Sequence, residues 1–248
     1  MNSPDPSWKR TITVKYIKTN MMNINPDQKI IKKENLDYLN KKYLPLSPEE
    51  RIREVYFDFD KILLTSSFGT TAVFQLHLFY KQNIKQPVHF IDTTFHFKET
   101  LEYKDILQQL FNLEIIDIKP DADWNKISHE TELWKIDPDQ CCSINKVKPF
   151  EIIKNGYKLW VSGLMRWQSS HREKLNIFEQ RNGIIKFYPI LDVSEREALE
   201  YIKKYNLPIH PLKPLGYESI GCIHCTLKGK KRKGRWAQTK KTECGLHL

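Results

Sequence analysis

The sequence predicts an α/β fold, a Rossmann-like parallel sheet with helices on both faces and a loop-rich C-terminal tail. Short apolar runs alternate with segments of helical periodicity, which is the rhythm of βαβ units. Polar or glycine-containing loops follow several of these runs, and from Pro208 onward prolines, glycines and lysines dominate. A chain of 248 residues is long enough for one such domain with a substantial core and without disulfides.

The predicted elements alternate along the first two thirds of the chain. Weak periodicity before residue 46 predicts an extension with a short helix or two, and Ser47, Pro48 and Glu50 then form a capping box that starts a helix. Short apolar runs predict buried strands at residues 61–66, 87–92, 113–118 and 158–162. Helical spacing predicts helices at residues 71–81, 98–111 and 142–154.

The alternation ends after the fourth strand. Residues 176–190 predict a hairpin around Arg181, Asn182 and Gly183, and a capping box of Ser194 and Glu197 starts a last helix. We therefore divide the chain into an N-terminal extension (1–45), an α/β domain (46–225) and a basic, mobile C-terminal tail (226–248).

Charge is concentrated in the predicted tail. It holds eight lysines and arginines against the single Glu243, a net +7 of the +10 carried by the whole chain. Such a tail on a balanced body predicts a local anionic partner, either nucleic acid or a phosphorylated small molecule. No apolar run approaches a membrane span and no secretory signal opens the chain, so we expect a cytoplasmic protein that binds no membrane.

The loop after the first strand, TSSFGTT, is typical of an anion site. Ser66, Ser67, Phe68 and Gly69 precede a helix whose N-terminus would face the ligand, although a tight turn explains the same residues. Asp92 and Thr93 follow the second strand, where ligands collect in open α/β sheets; helix capping is the alternative for Asp92.

The loop after the fourth strand, GLMRWQSSHR, is a second candidate for anion binding. Its candidate ligands are Gly163, Arg166, Gln168, Ser169 and Arg172. Guanidinium groups bind phosphate or sulfate oxygens through two parallel hydrogen bonds, and the loop lies at the same end of the sheet as the first. An ordinary solvated basic loop would need no ligand.

Five cysteines in a reducing compartment indicate metal ligands or catalytic thiols. The spacing of Cys222 and Cys225 fits zinc, an iron–sulfur cluster or a redox dithiol. Cys141 and Cys142, if they begin a helix, diverge by about 100°, which suits two corners of a four-iron cluster better than one zinc; buried, unliganded thiols are the alternative. Cys244 fits either a nucleophile activated by Lys240, Lys241 and His247 or a surface thiol.

Seven motifs occur in an order that resembles one family. They are SSFG at 66–69, IDT…HF.ETLEY at 91–103, CC…K at 141–146, GL.R.QS..R at 163–172, Y.SIGC..C at 217–225, GRW at 234–236 and ECGLH at 243–247. From about residue 61 onward the chain resembles the assimilatory sulfonucleotide reductases, in particular the cluster-bearing branch that acts on adenylyl sulfate (APS).

The resemblance implies an adenine-nucleotide α-hydrolase-like fold and a four-iron four-sulfur (4Fe-4S) cluster held by Cys141, Cys142, Cys222 and Cys225. It implies that Cys244 attacks the sulfur of APS, expels AMP and forms an S-sulfocysteine, from which thioredoxin or a similar dithiol releases sulfite. The groups that would neutralise charge during this step are Arg166, Arg172, Arg232, Arg235, Lys146 and His247.

Three alternatives accompany this interpretation. The nearest is a reductase that acts on phosphoadenylyl sulfate (PAPS) or on both substrates. A zinc-dependent nucleic-acid-binding protein would use the CIHC segment and the basic tail, and an ATP-pyrophosphatase-type enzyme would need an SGGxDS loop that the chain lacks. We predict the cytoplasmic, thioredoxin-dependent APS reductase of sulfate assimilation, assembled as a homo-oligomer and binding no nucleic acid.

Overall fold

The computed structural model describes residues 33–237, 241 and 243–247, which contain one six-stranded sheet in the order β3-β2-β1-β4-β6-β5. The strands are β1 Ile62–Thr65, β2 Val88–Ile91, β3 Ile115–Ile118, β4 Leu159–Val161, β5 Phe178–Arg181 and β6 Ile184–Phe187. All neighbouring pairs are parallel except β5 and β6, which form the predicted hairpin at one edge. The predicted α/β fold class is confirmed.

Helices connect the strands. Those in the described residues are α1 Lys33–Tyr43, α2 Pro48–Asp58, α3 Ala72–Lys81, α4 Lys98–Phe111, α5 Ala122–Glu130, α6 Leu133–Ile136, α7 Pro138–Cys142, α8 Lys148–Lys154, α9 Ser170–Glu173 and α10 Glu195–Lys204. Both predicted capping boxes are present, at Ser47 with Glu50 and at Ser194 with Glu197. No helix among these is long and apolar enough to cross a membrane.

Alternating side chains of the central strands pack on the two faces of the sheet. Ile62 and Leu64 of β1 belong to a large core shared with α3 and α4, whereas Leu63 packs on the other face with Trp160 and the α8 residue Phe150. This period of two places helices on both faces of the sheet.

Helix α1 covers the antiparallel edge of the sheet. The side-chain amide of Asn40 donates to the carbonyl of Phe178 over 3.0 Å, and its oxygen accepts from the Phe178 N–H over 2.9 Å. These two bonds occupy backbone groups that an edge strand otherwise leaves open. Residues 1–32 of the predicted extension, and 238–240, 242 and 248 of the predicted tail, lie outside the described residues.

The cysteine helix begins earlier than predicted. Asp137 accepts hydrogen bonds from the backbone N–H groups of Asp139 and Gln140, and Pro138 occupies the first helical position, so α7 starts there. Cys141 and Cys142 consequently end this helix rather than begin one, and a π-helical turn, Ser143–Val147, joins it to α8. Helix α5, capped by Asp121, was not predicted.

Residues 205–237 contain no long helix or strand, as predicted. Isolated β-bridges and backbone hydrogen bonds hold this segment together. Thr226 and Arg235 form one antiparallel bridge, and the N–H of Leu227 donates to the carbonyl of Gly234 over 2.8 Å. A Cβ at Gly234 would collide with the Leu227 carbonyl, so this crossing requires glycine.

Candidate active site

The carboxyl ends of β1 and β4 open onto a cavity of about 400 Å³. Strand order reverses between these two strands, and such switch points are where open α/β sheets bind ligands. The volume suits a small molecule. At the end of β4 the chain passes so close to Gln75 of α3 that any Cβ at Gly163 would collide with the Gln75 amide oxygen.

The loop after β1 forms one side of the cavity. Ser66, Ser67 and Gly69 line it, and the Ser66 hydroxyl accepts from the Phe68 N–H over 3.1 Å. Phe68 has a positive φ of 48° and a fully buried ring that packs edge-on against Phe90. Its side chain therefore belongs to the core, and only its backbone remains a candidate for ligand contact.

The segment after β2 contributes a different residue from those predicted. Asp92 accepts from the N–H of Thr94 over 2.9 Å and stabilises a turn in which Thr94 has a φ of 65°. Neither Asp92 nor Thr93 is among the residues that line this cavity, whereas His96 is. Burial, together with the nearby Lys146 charge, lowers the pKa of His96 to about 4, so its imidazole is neutral at physiological pH.

The arginine loop after β4 separates into residues that face the cavity and residues that do not. Gln168 and Arg172 line it. Arg166 is absent from the lining, because its guanidinium donates to the Leu175 carbonyl over 3.3 Å and its backbone N–H to that of Leu191 over 2.8 Å. Ser169 caps the short helix α9 by accepting from the Arg172 N–H.

A buried carboxylate lies beside this loop. Glu243 accepts from Nε and Nη2 of Arg172, each over 3.0 Å, and from Nη2 of Arg232 over 2.8 Å. The Ser169 hydroxyl donates to it over 2.9 Å. Burial opposes ionisation of Glu243, but Arg172 and Arg232 together hold its pKa below the ordinary value.

Three further contacts fasten the residues that follow Glu243. Lys186 Nζ donates to the Leu246 carbonyl over 2.8 Å, and His171 Nε2 lies 2.9 Å from the His247 carbonyl oxygen. The His247 ring stacks on Trp160 with 5.1 Å between centroids. As a result Cys244, half-buried, lines the cavity.

His247 has a buried ring nitrogen at the cavity. Among the described residues its Nδ1 has no hydrogen-bond partner. Burial, and then the charges of Arg172 and Lys186, lower the pKa of His247 well below its ordinary range. A neutral imidazole with an unused nitrogen beside Cys244 is a candidate contact for a bound ligand.

Arg235 offers a second unused donor in the cavity wall. Its Nη1 donates to the Ile220 carbonyl over 2.9 Å and its guanidinium lies 4.3 Å from the centroid of the Trp236 ring. Its Nε has no partner among the described residues. A Cβ at Gly221 would collide with the guanidinium, which therefore rests directly on the backbone.

Lys146 lines this cavity and also a second, smaller cavity beside it. Burial tends to lower its pKa, but the neighbouring cysteines Cys222, Cys244 and Cys142 raise the pKa above its ordinary value. Lys146 is therefore a cation in the wall between the two cavities.

The second cavity brings four cysteines together. Cys141 and Cys142 come from the end of α7, and Cys222 and Cys225 come from residues 222–225, which attach through the Ile223 N–H to the Phe95 carbonyl at 2.7 Å. Two thiols have polar neighbours: Cys222 Sγ lies 3.3 Å from the Thr93 hydroxyl, and Cys141 Sγ lies 3.7 Å from the Asn145 amide nitrogen.

Burial raises the pKa of Cys141, Cys142 and Cys225. It raises the pKa of Cys141 to about 12 and that of Cys225 to about 11, with the neighbouring cysteines adding to both effects. A parallel stack of Trp134 on His224, 3.9 Å between centroids, lies in the wall. In the described part of the chain no group of three or more His, Cys, Asp or Glu residues is arranged to hold a metal ion.

Sequence reasoning missed four residues of this region. Gln75 has a buried amide nitrogen without a partner in the described residues, His96 lines the cavity, and Glu243 and Lys186 fasten the C-terminal segment. Glu243 lies inside the ECGLH motif and His96 inside the IDT…HF.ETLEY motif, so these two residues carried a signal. Gln75 and Lys186 lie within a helix and a strand, where apolar periodicity concealed them.

Comparisons with known proteins agree on one family. Residues 61–228 match the family described as phosphoadenosine phosphosulfate reductase domain. The chain is 39% identical over 198 residues to an adenosine 5′-phosphosulfate reductase of Bacillus mycoides (76% of this chain, 85% of that protein). It is 40% identical over 195 residues to an enzyme of the same name from Oceanobacillus iheyensis (75% of this chain, 81% of that protein).

Solved structures are similar over most of the described fold. A Candida auris phosphoadenylyl-sulfate reductase in complex with phosphate superposes with a TM-score of 0.69 at 27% identity, covering 79% of this chain and 98% of that one. A Candida glabrata FMN adenylyltransferase gives 0.57 at 16% identity, covering 89% and 73%, which reflects the fold alone.

Proposed function

Because the chain belongs to the phosphoadenosine phosphosulfate reductase domain family, we propose that it reduces APS to sulfite and AMP with Cys244 as the nucleophile. One observation carries this assignment. The Cys244 thiol lines the same cavity as the loops after β1 and β4, so a nucleotide bound at the strand ends would have a thiol within its own site.

The chemistry divides into two steps that balance in electrons. The Cys244 thiolate attacks the sulfuryl sulfur, an S–S bond forms, and the bond from that sulfur to the bridging oxygen breaks as AMP leaves with the electron pair. A dithiol then attacks Cys244 Sγ, sulfite leaves with the S–S electron pair, and the second thiol resolves the mixed disulfide. The dithiol loses two electrons and two protons, and the sulfur gains the electrons.

Cationic and polar groups of the cavity suit the first step. The substrate and the departing AMP both carry negative charge, and fixed donors aimed at that charge stabilise the transition state. Arg235 Nε and the Gln75 amide nitrogen are buried donors, and His247 Nδ1 is a buried ring nitrogen. All three lack partners in the described residues, and Lys146 is a nearby cation. We assign substrate contacts to these residues together with Ser66, Ser67, Gly69, Gly163 and Gln168.

The four cysteines fit a 4Fe-4S cluster in chemical terms. They supply four thiols to one cavity, of which Cys141 is buried and the other three are half-buried. Four thiolates are the usual ligand set of such a cluster, and binding it would release the thiol protons. When bound, the cluster would supply iron–thiolate bonds that cross-link α7 to residues 222–225. Asn145 and Thr93 would then donate hydrogen bonds to thiolate sulfurs.

APS is the preferred substrate in this proposal, with PAPS as the alternative. The curated relatives at 38 to 40% identity are named for APS, whereas the solved structure at 27% identity is named for PAPS. The resemblance of the cysteine motifs to the cluster-bearing branch supports the same choice. We propose thioredoxin or a similar dithiol as the reductant. The cytoplasmic location and the homo-oligomeric state remain predictions.

The decisive assay uses anaerobically purified protein with reduced thioredoxin and either APS or PAPS. Sulfite and the released nucleotide are quantified, and iron, acid-labile sulfide and zinc are measured per chain. We expect about four irons with matching sulfide, and a higher kcat/KM for APS than for PAPS. Higher activity with PAPS would reverse the substrate choice. One zinc, no sulfite from either substrate and salt-sensitive nucleic-acid binding would instead support the nucleic-acid alternative.

A further inference from the structure

The residue immediately before the proposed nucleophile has a buried carboxylate with both oxygens hydrogen-bonded. The Glu243 side chain is 0% exposed and accepts four hydrogen bonds, two from Arg172, one from Arg232 and one from Ser169. An isolated buried carboxylate is costly, so this arrangement exists only while both guanidinium groups are in place.

Arg172 makes these contacts with the donors that would otherwise bind an anionic substrate. Its Nε and Nη2 form a bidentate pair with Glu243, and its Nη1 donates to the Gln168 side-chain oxygen. All three nitrogens of the guanidinium are therefore engaged by protein acceptors. Arg235 differs, because its Nε faces the cavity region without a partner in the described residues.

The partners of Glu243 come from two separate parts of the chain. Ser169 caps helix α9 and Arg172 lies within it, whereas Arg232 belongs to residues 226–237. Glu243 thus attaches the C-terminal segment to the body at a point one residue from Cys244, and Cys244 cannot leave the cavity far without breaking these bonds.

We propose that Glu243 is a positioning residue that locks Cys244 at the cavity, with Arg172 and Arg232 as the two guanidinium groups that hold its carboxylate. The proposal rests on the role of Cys244 as the nucleophile. Weakening the bonds to Glu243 should slow the attack on APS, because that step needs the docked thiol. It should speed the reaction with an external dithiol, because the dithiol must reach the same sulfur.

The test compares Glu243→Gln with the unmodified enzyme in three measurements. Iodoacetamide alkylation of Cys244, followed by mass spectrometry without substrate, should become about tenfold faster because the segment undocks. Single-turnover release of AMP from saturating APS should become about tenfold slower, the change that loss of roughly 1.4 kcal/mol of positioning produces. The KM for APS should stay within about twofold, because the variant leaves the residues that bind APS unchanged.

Two further variants make the result specific. Asp139→Asn removes the carboxylate paired with another C-terminal cation, Lys241, at 2.5 Å; because the Asp139 side chain is 82% exposed, we expect unchanged alkylation and turnover. Ser169→Ala removes a single donor to Glu243 and should reproduce both kinetic effects at about two- to threefold. This milder variant keeps the test valid if Glu243→Gln unfolds.

A tenfold or greater rise in KM with unchanged alkylation would overturn the proposal, because Glu243 would then be acting on substrate binding and not on the position of Cys244. Unchanged values in all three measurements would overturn it as well. Cys244→Ser separates this from the function itself. If that variant still releases AMP in a single turnover, the nucleophile assignment fails; if it does not and Glu243→Gln behaves like the unmodified enzyme, only the role of Glu243 fails.

Discussion

Two walls of the same cavity are built in different ways. The wall at the end of β4 continues a parallel ladder, with the Ser162 N–H bonded to the Phe187 carbonyl and fully buried strand residues behind it. The wall formed by residues 243–247 is attached through side chains, namely those of Arg172, Arg232, Lys186 and His171.

This difference assigns separate tasks to the two walls. Backbone ladders and apolar packing break cooperatively and at high cost, whereas a few polar contacts are broken one at a time. A fixed wall suits recognition of the nucleotide. A wall that side chains hold suits a thiol that must meet two successive reactants, a bound sulfonucleotide and a protein dithiol.

The strongest test of the C-terminal wall removes its thiol. Cys244→Ser should lower sulfite formation by roughly 10³-fold or more, because a serine hydroxyl is a far weaker nucleophile than a cysteine thiol at neutral pH. Nucleotide binding and iron content should be unchanged, since the sheet wall and the four other cysteines remain. Sulfite formation at a tenth of the original rate would contradict the role of Cys244.

The second test addresses the cysteine cavity, which shares Lys146 with the main cavity. Cys225→Ser should lose most of its iron and at least about 100-fold in activity, because a proposed cluster with three ligands is readily lost. Iron per chain and visible absorbance measure the first effect. Cys244→Ser serves as the matched control, and full iron retention in Cys225→Ser would remove Cys225 from the ligand set.

The third test perturbs the contact between Arg235 and the backbone. Gly221→Ala would place a Cβ against the Arg235 guanidinium and displace it, so we expect KM for APS to rise about tenfold, the cost of one charged hydrogen bond. Gly156→Ala, whose Cβ would lie an ordinary 3.7 Å from the Ile153 carbonyl, is the control. An unchanged KM in Gly221→Ala would exclude Arg235 from substrate binding.

The smallest expected effect concerns Lys186, which binds the Leu246 carbonyl from under the Trp160 ring. Lys186→Met removes a buried charge, so we expect the unfolding free energy at pH 7 to rise by about 1 kcal/mol while Cys244 alkylation becomes about threefold faster. The exposed Lys203→Met is the control. Slower alkylation in Lys186→Met would contradict the docking role of Lys186.

The same lysine predicts a pH dependence. Burial lowers the pKa of Lys186 to about 8 from its ordinary 10.5. Between these values the unfolded chain binds more protons at this site than the folded chain, so this lysine contributes an unfolding free energy that rises with pH from about 8 to 10.5. Denaturant unfolding across this window should therefore show the difference between Lys186→Met and the unmodified protein shrinking as pH rises.

Local patterns predicted the βαβ order, the two capping boxes and the loops that line the cavity, because each depends on neighbouring residues. Other features depend on distant partners. Arg166 and Arg172 look equivalent within one loop, yet Arg166 is turned toward the Leu175 carbonyl and Arg172 toward a carboxylate 71 residues away. Phe68 likewise lies in a ligand loop while its ring fills the core.

The attachment points of residues 243–247 limit the insertions and deletions that this segment can accept. Glu243 is fastened to α9 and Arg232, Leu246 to β6, and the His247 ring to Trp160 on β4, with Cys244 and Gly245 between the fixed points. The five residues from 243 to 247 therefore set the distance between the attachment points and the thiol. A single-residue insertion or deletion within this segment would move the Cys244 thiol away from the cavity while leaving every attaching residue present. The length of the segment is therefore as important to the site as its side chains.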